Sequence, residues 1–136
     1  MSAIIVNYDL VMKDGANPST ASASGNLNGD RYSEIMPVSR AFMGSIVAVN
    51  VAGPVGNYIL EGSNDLGLPD DEPWDRVNSE NLITNWGAIS TTALGSTETS
   101  KIISVADIGC RWLRLKFDST SGTGNITDIR ANFKGY

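Results

Sequence analysis

CRWLRLKFDSTSGTGNITDIRANFKG, residues 110 to 135, is the stretch that decides the fold. Leu113, Leu115 and Phe117 alternate with Trp112, Arg114 and Lys116. Successive side chains of a strand point to opposite faces, so the first set belongs to a core and the second shares the other face. STSGTG at 119 to 124 supplies small, flexible turn residues, and 125 to 135 resumes as a closing strand.

The same period of two continues outward from this stretch. SKIISVADI at 100 to 108 reads as a strand, and SIVAVNVA at 45 to 52 alternates Ile46, Ala48 and Asn50 against Val47, Val49 and Val51. GPVGN at 53 to 57 carries turn chemistry ahead of NYILEGS at 57 to 63, which makes 45 to 63 a predicted hairpin. AIIVNYDLVM at 3 to 12 is the first expected strand, and RYSEIMPV at 31 to 38 is another, closed by Pro37. Between them, residues 13 to 30 are too poor in apolar groups for a core, so residues 1 to 30 read as an N-terminal strand followed by an extended loop or arm. SASGNL at 22 to 27 is the part of that loop suited to brief edge pairing. NDLGLPDDEPWD at 64 to 75 belongs on the surface, with a short strand expected at 74 to 77, a polar linker after it, and a strand-like LITNWGAIS at 82 to 90.

No segment holds apolar residues at helical spacing over three turns. About eight short strands in 136 residues predict an all-β chain, with the pattern of a β-sandwich, jelly roll or small barrel, among which periodicity alone does not choose; the expected fold is one single-domain antiparallel β-sandwich, 1 to 136, with jelly-roll-like connections. Apolar residues at 41% and charged residues at 18% are enough to build a core and too little charge for a disordered chain.

Charge and residue inventory exclude whole classes of function. A net charge of −5 repels phosphate backbones and anionic lipid, so neither nucleic acid nor a membrane is an expected partner. The N-terminal stretch lacks a basic region followed by a long apolar run, so no secretory leader is expected. With no histidine in the chain, Ser-His and Cys-His nucleophilic sites and histidine-bearing zinc sites are ruled out. The lone Cys110 has no imidazole to activate it and precedes Trp112, so it is expected to be buried and inert. Phosphate-loop motifs are absent, and SGTG at 121 to 124 leads into a strand rather than a helix. No cofactor is expected.

Two groups remain for weighing. Asp65, Asp70, Asp71, Glu72 and Asp75 crowd one loop, 65 to 75, whose spacing fits no EF-hand and reads as solvated surface, with oxygen ligation of calcium and a glycosidase-type carboxylate pair as the competing readings. Trp74 and Trp86 lie near loops, where tryptophan serves as a sugar platform, an interface anchor, or a plug at the end of a sandwich core. Ile4, Ile5, Val6 and Tyr8 join them as interface candidates, because the apolar N-terminal strand precedes a flexible stretch and can lie on a neighbouring subunit. The competing reading makes it the first core strand.

From residue 45 onward the order of pieces is SIVAVNV, NYILEGSND, a tryptophan in PWDRV, an ISVADI strand, and the closing CRWLRLKFDSTSGTGNITDIRANFKG. This order resembles that of small virion structural proteins of tailed bacteriophages, of the capsid decoration or cement type. The resemblance covers about two thirds of the chain and rests on loose turn-and-strand patterns. It implies a β-sandwich without catalytic residues, carried on the capsid surface of the virion and made in the host cytoplasm. The implied partners are the major capsid protein and copies of the chain itself. Similar strand and tryptophan patterns occur in discoidin-like carbohydrate-binding sandwiches, which implies a surface glycan as the alternative partner, and a tail or head-completion subunit is the other alternative.

Overall fold

Alternating apolar and polar residues build nine strands: β1 (Ile4–Asp9), β2 (Arg31–Tyr32), β3 (Met36–Pro37), β4 (Ala41–Asn50), β5 (Val55–Ser63), β6 (Gly87–Leu94), β7 (Ser100–Ala106), β8 (Trp112–Ser121) and β9 (Ile126–Gly135). The structure, a computed structural model, describes residues 4–17, 20–38, 41–65 and 83–135. Among them there is no helix, hence none long and apolar enough to cross a membrane. The short strand expected at 74 to 77 lies outside the described residues.

The strands form two antiparallel sheets packed face to face. Sheet A has the order β1-β9-β4-β7, and sheet B the order β2-β8-β5-β6, with β3 also on β8. β2 and β3 act as one interrupted strand. Ser33, just after β2, sends its backbone N–H to the Leu115 carbonyl and receives the Leu115 N–H on its hydroxyl oxygen, both at 2.8 Å. A side-chain oxygen thus stands where a ladder carbonyl would, and the strand breaks there. With β2 and β3 counted together, the first strand pairs with the last, the second with the next to last, and so on inward to β5 with β6. That nested pairing is the wrapped ribbon of a jelly roll, and the expected fold class is the one observed.

The hairpin expected over 45 to 63 does not form, because β4 lies in sheet A and β5 in sheet B. The turn between them carries the chain across the end of the sandwich, with Gly53 at φ 137° and Pro54 buried. β8 and β9 are separated in the same way, through Gly122 at φ 79°. A Cβ at Gly53 would run into the Thr123 carbonyl and one at Gly122 into the Gly53 carbonyl, so these two crossings nest backbone on backbone. Only glycine permits both the close approach and the left-handed conformation.

Leu113, Leu115 and Phe117 face the core as the alternation predicts, meeting Tyr58 and Leu60 of sheet B and Ile46, Ile103, Ile129 and Phe133 of sheet A. Each such side chain contributes roughly 1.5–3 kcal/mol by leaving water. The 13 to 30 stretch supplies one core residue that its composition hides: Leu27 is fully buried, and its N–H bonds the Gly124 carbonyl at 3.0 Å. Isolated bridges Lys13↔Ala23 and Asn26↔Asn125 supply the brief pairing expected around 22 to 27.

Candidate interaction surface

The register of sheet A fixes what its outer face presents. Across the four strands, Ile5 aligns with Lys134, Met43 and Ala106, and the next level is Asn7, Asn132, Ser45 and Ser104. Asp9, Arg130, Val47 and Ile102 form the third level, and Asp128, Val49 and Ser100 the fourth. Their neighbours along each strand, such as Ile46, Ile103 and Phe133, point into the core. Ile5 is 60% exposed, Ile102 66%, Met43 42% and Val47 38%, so most of the large apolar surface left open by the described residues lies on this one face. Val11, just past β1, continues it.

Charge on the face is split between its ends. The Arg130 guanidinium sits 3.1 Å from Asp128 and 3.4 Å from Asp9, and the hydrogen bond to Asp128, together with the two negative charges, holds its pKa above the usual guanidinium value. One cation is therefore shared by two carboxylates. At the opposite end, Lys134 pairs with no carboxylate among the described residues. Between the ends, the Asn132 side-chain amide donates its Nδ2–H to the Asn7 side-chain Oδ1 at 2.5 Å, and a shallow depression of about 410 Å³ opens over Asn7, Ser45, Val47, Arg130 and Asn132. Short polar side chains at the second level make this depression, with longer ones on both sides of it.

The residues singled out in the sequence are distributed unevenly over this surface. Ile5 is on it. Val6 and Tyr8 share the core-facing side of β1, where Tyr8 packs edge-on against Phe133 at 6.2 Å and donates its hydroxyl to the Pro37 carbonyl at 3.1 Å. Ile4 pairs through its backbone with Gly135, and its side chain, like the whole of Trp74, lies outside the described residues. Trp86 stands just before β6, beside the other sheet. It packs with Ile35, Ile83 and Trp112 in a small cluster on the outside of sheet B and donates its indole N–H to the Ile83 carbonyl at 3.2 Å. The Arg114 guanidinium lies 4.2 Å above the Trp86 ring and 5.0 Å from the Tyr32 ring, and Glu61 accepts from its Nε at 2.8 Å. One stacking face of Trp86 is thus occupied by the protein's own arginine. Arg114, on the non-core side of β8, is nevertheless buried, because this second layer covers it.

Sequence reasoning missed Met43, Val47 and Ile102. The available signal was that β4 is apolar on both faces, a pattern expected when both sides of a strand become covered.

Of the acidic loop, Asp65 is described. Its carboxylate accepts the Thr84 and Asn85 backbone N–H groups at 2.8 and 2.9 Å and the Asn85 side-chain amide at 3.0 Å, joining the two ends of the 66–82 connection. Those bonds, the Asn85 side chain first, hold its pKa below the usual carboxylate range. Both oxygens are used, so Asp65 serves as a clamp. The other acidic residues of the loop lie outside the described residues, and no metal-binding cluster of Asp, Glu or Cys occurs among those described. Cys110 is half-buried, and that burial pushes its thiol up, away from the reactive thiolate. Comparison with known proteins finds no family model that matches the chain and no curated protein that matches it.

Proposed function

We propose that the chain is a non-enzymatic structural subunit of a bacteriophage particle, a capsid decoration (cement) protein that binds the major capsid protein and stabilises the shell. The order of strands and turns from residue 45 to 135 motivates the phage assignment. The observation that carries the structural role is the outer face of sheet A, where Ile5, Met43, Val47 and Ile102 stand open to water on a four-stranded hydrogen-bonded sheet. Apolar surface gathered in this way is stabilised when a neighbour covers it, at roughly 25 cal/mol per Å² removed from water. Jelly rolls also build viral shell domains, an analogy of fold. The role needs no cofactor, nucleic acid or membrane, and it places the chain on the capsid surface after synthesis in the host cytoplasm.

Mass spectrometry of purified particles tests the reading through copy number. Hundreds of copies per particle, together with shells that rupture at lower temperature when the chain is missing, are the expected result. A dozen copies or fewer would move the chain to the tail or head-completion position, and shells equally stable without it would overturn the decoration role.

A further inference from the structure

We propose that the outer face of sheet A is the contact between two copies of this chain, packed face to face across a two-fold axis that lies between the sheets, at right angles to the strands, and passes between the Asn132 and Arg130 levels. The inference rests on the structural-subunit reading and names one partner of its exposed face. Its basis is the arrangement of charge along β9, where Lys134, Asn132, Arg130 and Asp128 all point outward in that order.

A two-fold axis along the strands would exchange β9 with β4. It would set Lys134 on Met43 and Arg130 on Val47, placing cations against apolar side chains. The perpendicular axis exchanges levels within each strand instead. It brings Lys134, which pairs with no carboxylate among the described residues, onto Asp128 of the second copy, one of the two carboxylates sharing Arg130. Along β4 the same operation sets Met43 against Val49, apolar on apolar, and Ser45 against Val47 beside the axis. Isologous contacts need this kind of self-complementarity, and each favourable pair then occurs twice. Aligned packing offsets two sheets by about 30°, which disturbs the edge strands more than the central β9 and β4 that carry the match.

Size agrees with a reversible dimer. Four strands about 4.8 Å apart and about eight residues at 3.4 Å each give a face of roughly 19 by 27 Å, so two copies bury on the order of 1,000 Å² in total. That is at the small end of specific interfaces, where weak and transient associations lie.

Sedimentation velocity of the pure chain, from nanomolar to millimolar, reads the association directly. The wild-type chain is expected to dimerise. Lys134→Asp and Asp128→Lys should each weaken self-association by about 30-fold, since two ion pairs become two repulsions. Carrying both reversals in one chain should restore the dimer, and mixing the two single variants should give a heterodimer. The neutral pair Lys134→Gln and Asp128→Asn, with circular dichroism melts on every variant, separates lost association from lost folding. A wild-type chain that stays monomeric throughout, or a dimer indifferent to all four substitutions, overturns the inference. Failure here is distinguishable from failure of the shell role: a monomeric chain that still protects shells refutes only the dimer, and a dimer absent from particles refutes only the shell role.

Discussion

The ion pair between Glu61 and Arg114 should be a main determinant of stability on the outer side of sheet B, and removing only one partner should do more harm than removing both. Their side chains are 15% and 10% exposed, with Nε and Oε1 2.8 Å apart, and the guanidinium is closed in by Trp86 and Tyr32. Glu61→Ala leaves that cation without its partner in a site largely shielded from water, a situation that costs about 3 kcal/mol. At roughly 3.5 °C per kcal/mol for a chain of this length, Tm falls by about 10 °C. Arg114→Met keeps a long stem under the Trp86 ring and removes the charge. The double variant Glu61→Leu, Arg114→Met should therefore be more stable than Glu61→Ala alone. Arg114→Lys keeps the charge but lacks the flat fork that both stacks and pairs, so it should not behave as wild type. Urea unfolding and thermal melts followed by circular dichroism supply the numbers. A loss below about 0.5 kcal/mol for Glu61→Ala would place the pair with ordinary surface ion pairs and refute the reasoning.

Three further outcomes are expected. Tyr58 is fully buried, its hydroxyl has no hydrogen-bond partner among the described residues, and burial pushes its pKa up to about 12; Tyr58→Phe should raise stability by about 1 kcal/mol in urea titrations. Because the phenol ionises more easily in the unfolded chain, its contribution is complete below the unfolded value near 10 and is lost as pH rises toward 12, so the same variant should flatten the alkaline limb of the stability profile. Asp65, with its pKa lowered by the Asn85 and Thr84 bonds, contributes stability above its unfolded pKa that disappears as pH falls through the folded one; in Asp65→Asn that acid-side loss should shrink, as melts between neutral and acid pH can show. Leu27→Ala should cost about 3 kcal/mol in urea unfolding, whereas a stretch merely lying on the surface would lose less than 0.5 kcal/mol.

The sequence makes the strands legible but not their partners. Alternation at 112 to 117 assigns each side chain its face, and Leu113, Leu115 and Phe117 are all in the core. A period of two contains no information about which sheet a strand joins, so Gly53 and Pro54 read equally well as a hairpin tip or as a crossing between sheets. The break after Tyr32 depends on a serine hydroxyl reaching Leu115, a long-range contact that no local pattern encodes. Leu27 is a single apolar residue in a polar stretch, below the threshold of any periodicity argument. On the interaction surface, Ile5 was legible because it stands in an apolar N-terminal run. Met43, Val47 and Ile102 were not, because an exposed apolar side chain and a buried one look alike until neighbouring strands are known. The position of Trp86 was equally hidden, since its place is set by Arg114, far away along the chain.

The nesting of first strand with last has a consequence for biosynthesis. β9 lies between β1 and β4, so sheet A has no centre until residues 126–135 have been made. A ribosome-bound chain lacking that segment must hold β1 and the apolar edge of β4 apart and unsatisfied, exposed to proteases and to other nascent chains. Pairing across nearly the full length also makes ring closure slow, because distant residues must meet before any ladder bond rewards them. Stalled or prematurely terminated products that lack β9 should therefore be cleared or aggregate, and only copies that contain it should accumulate in soluble form.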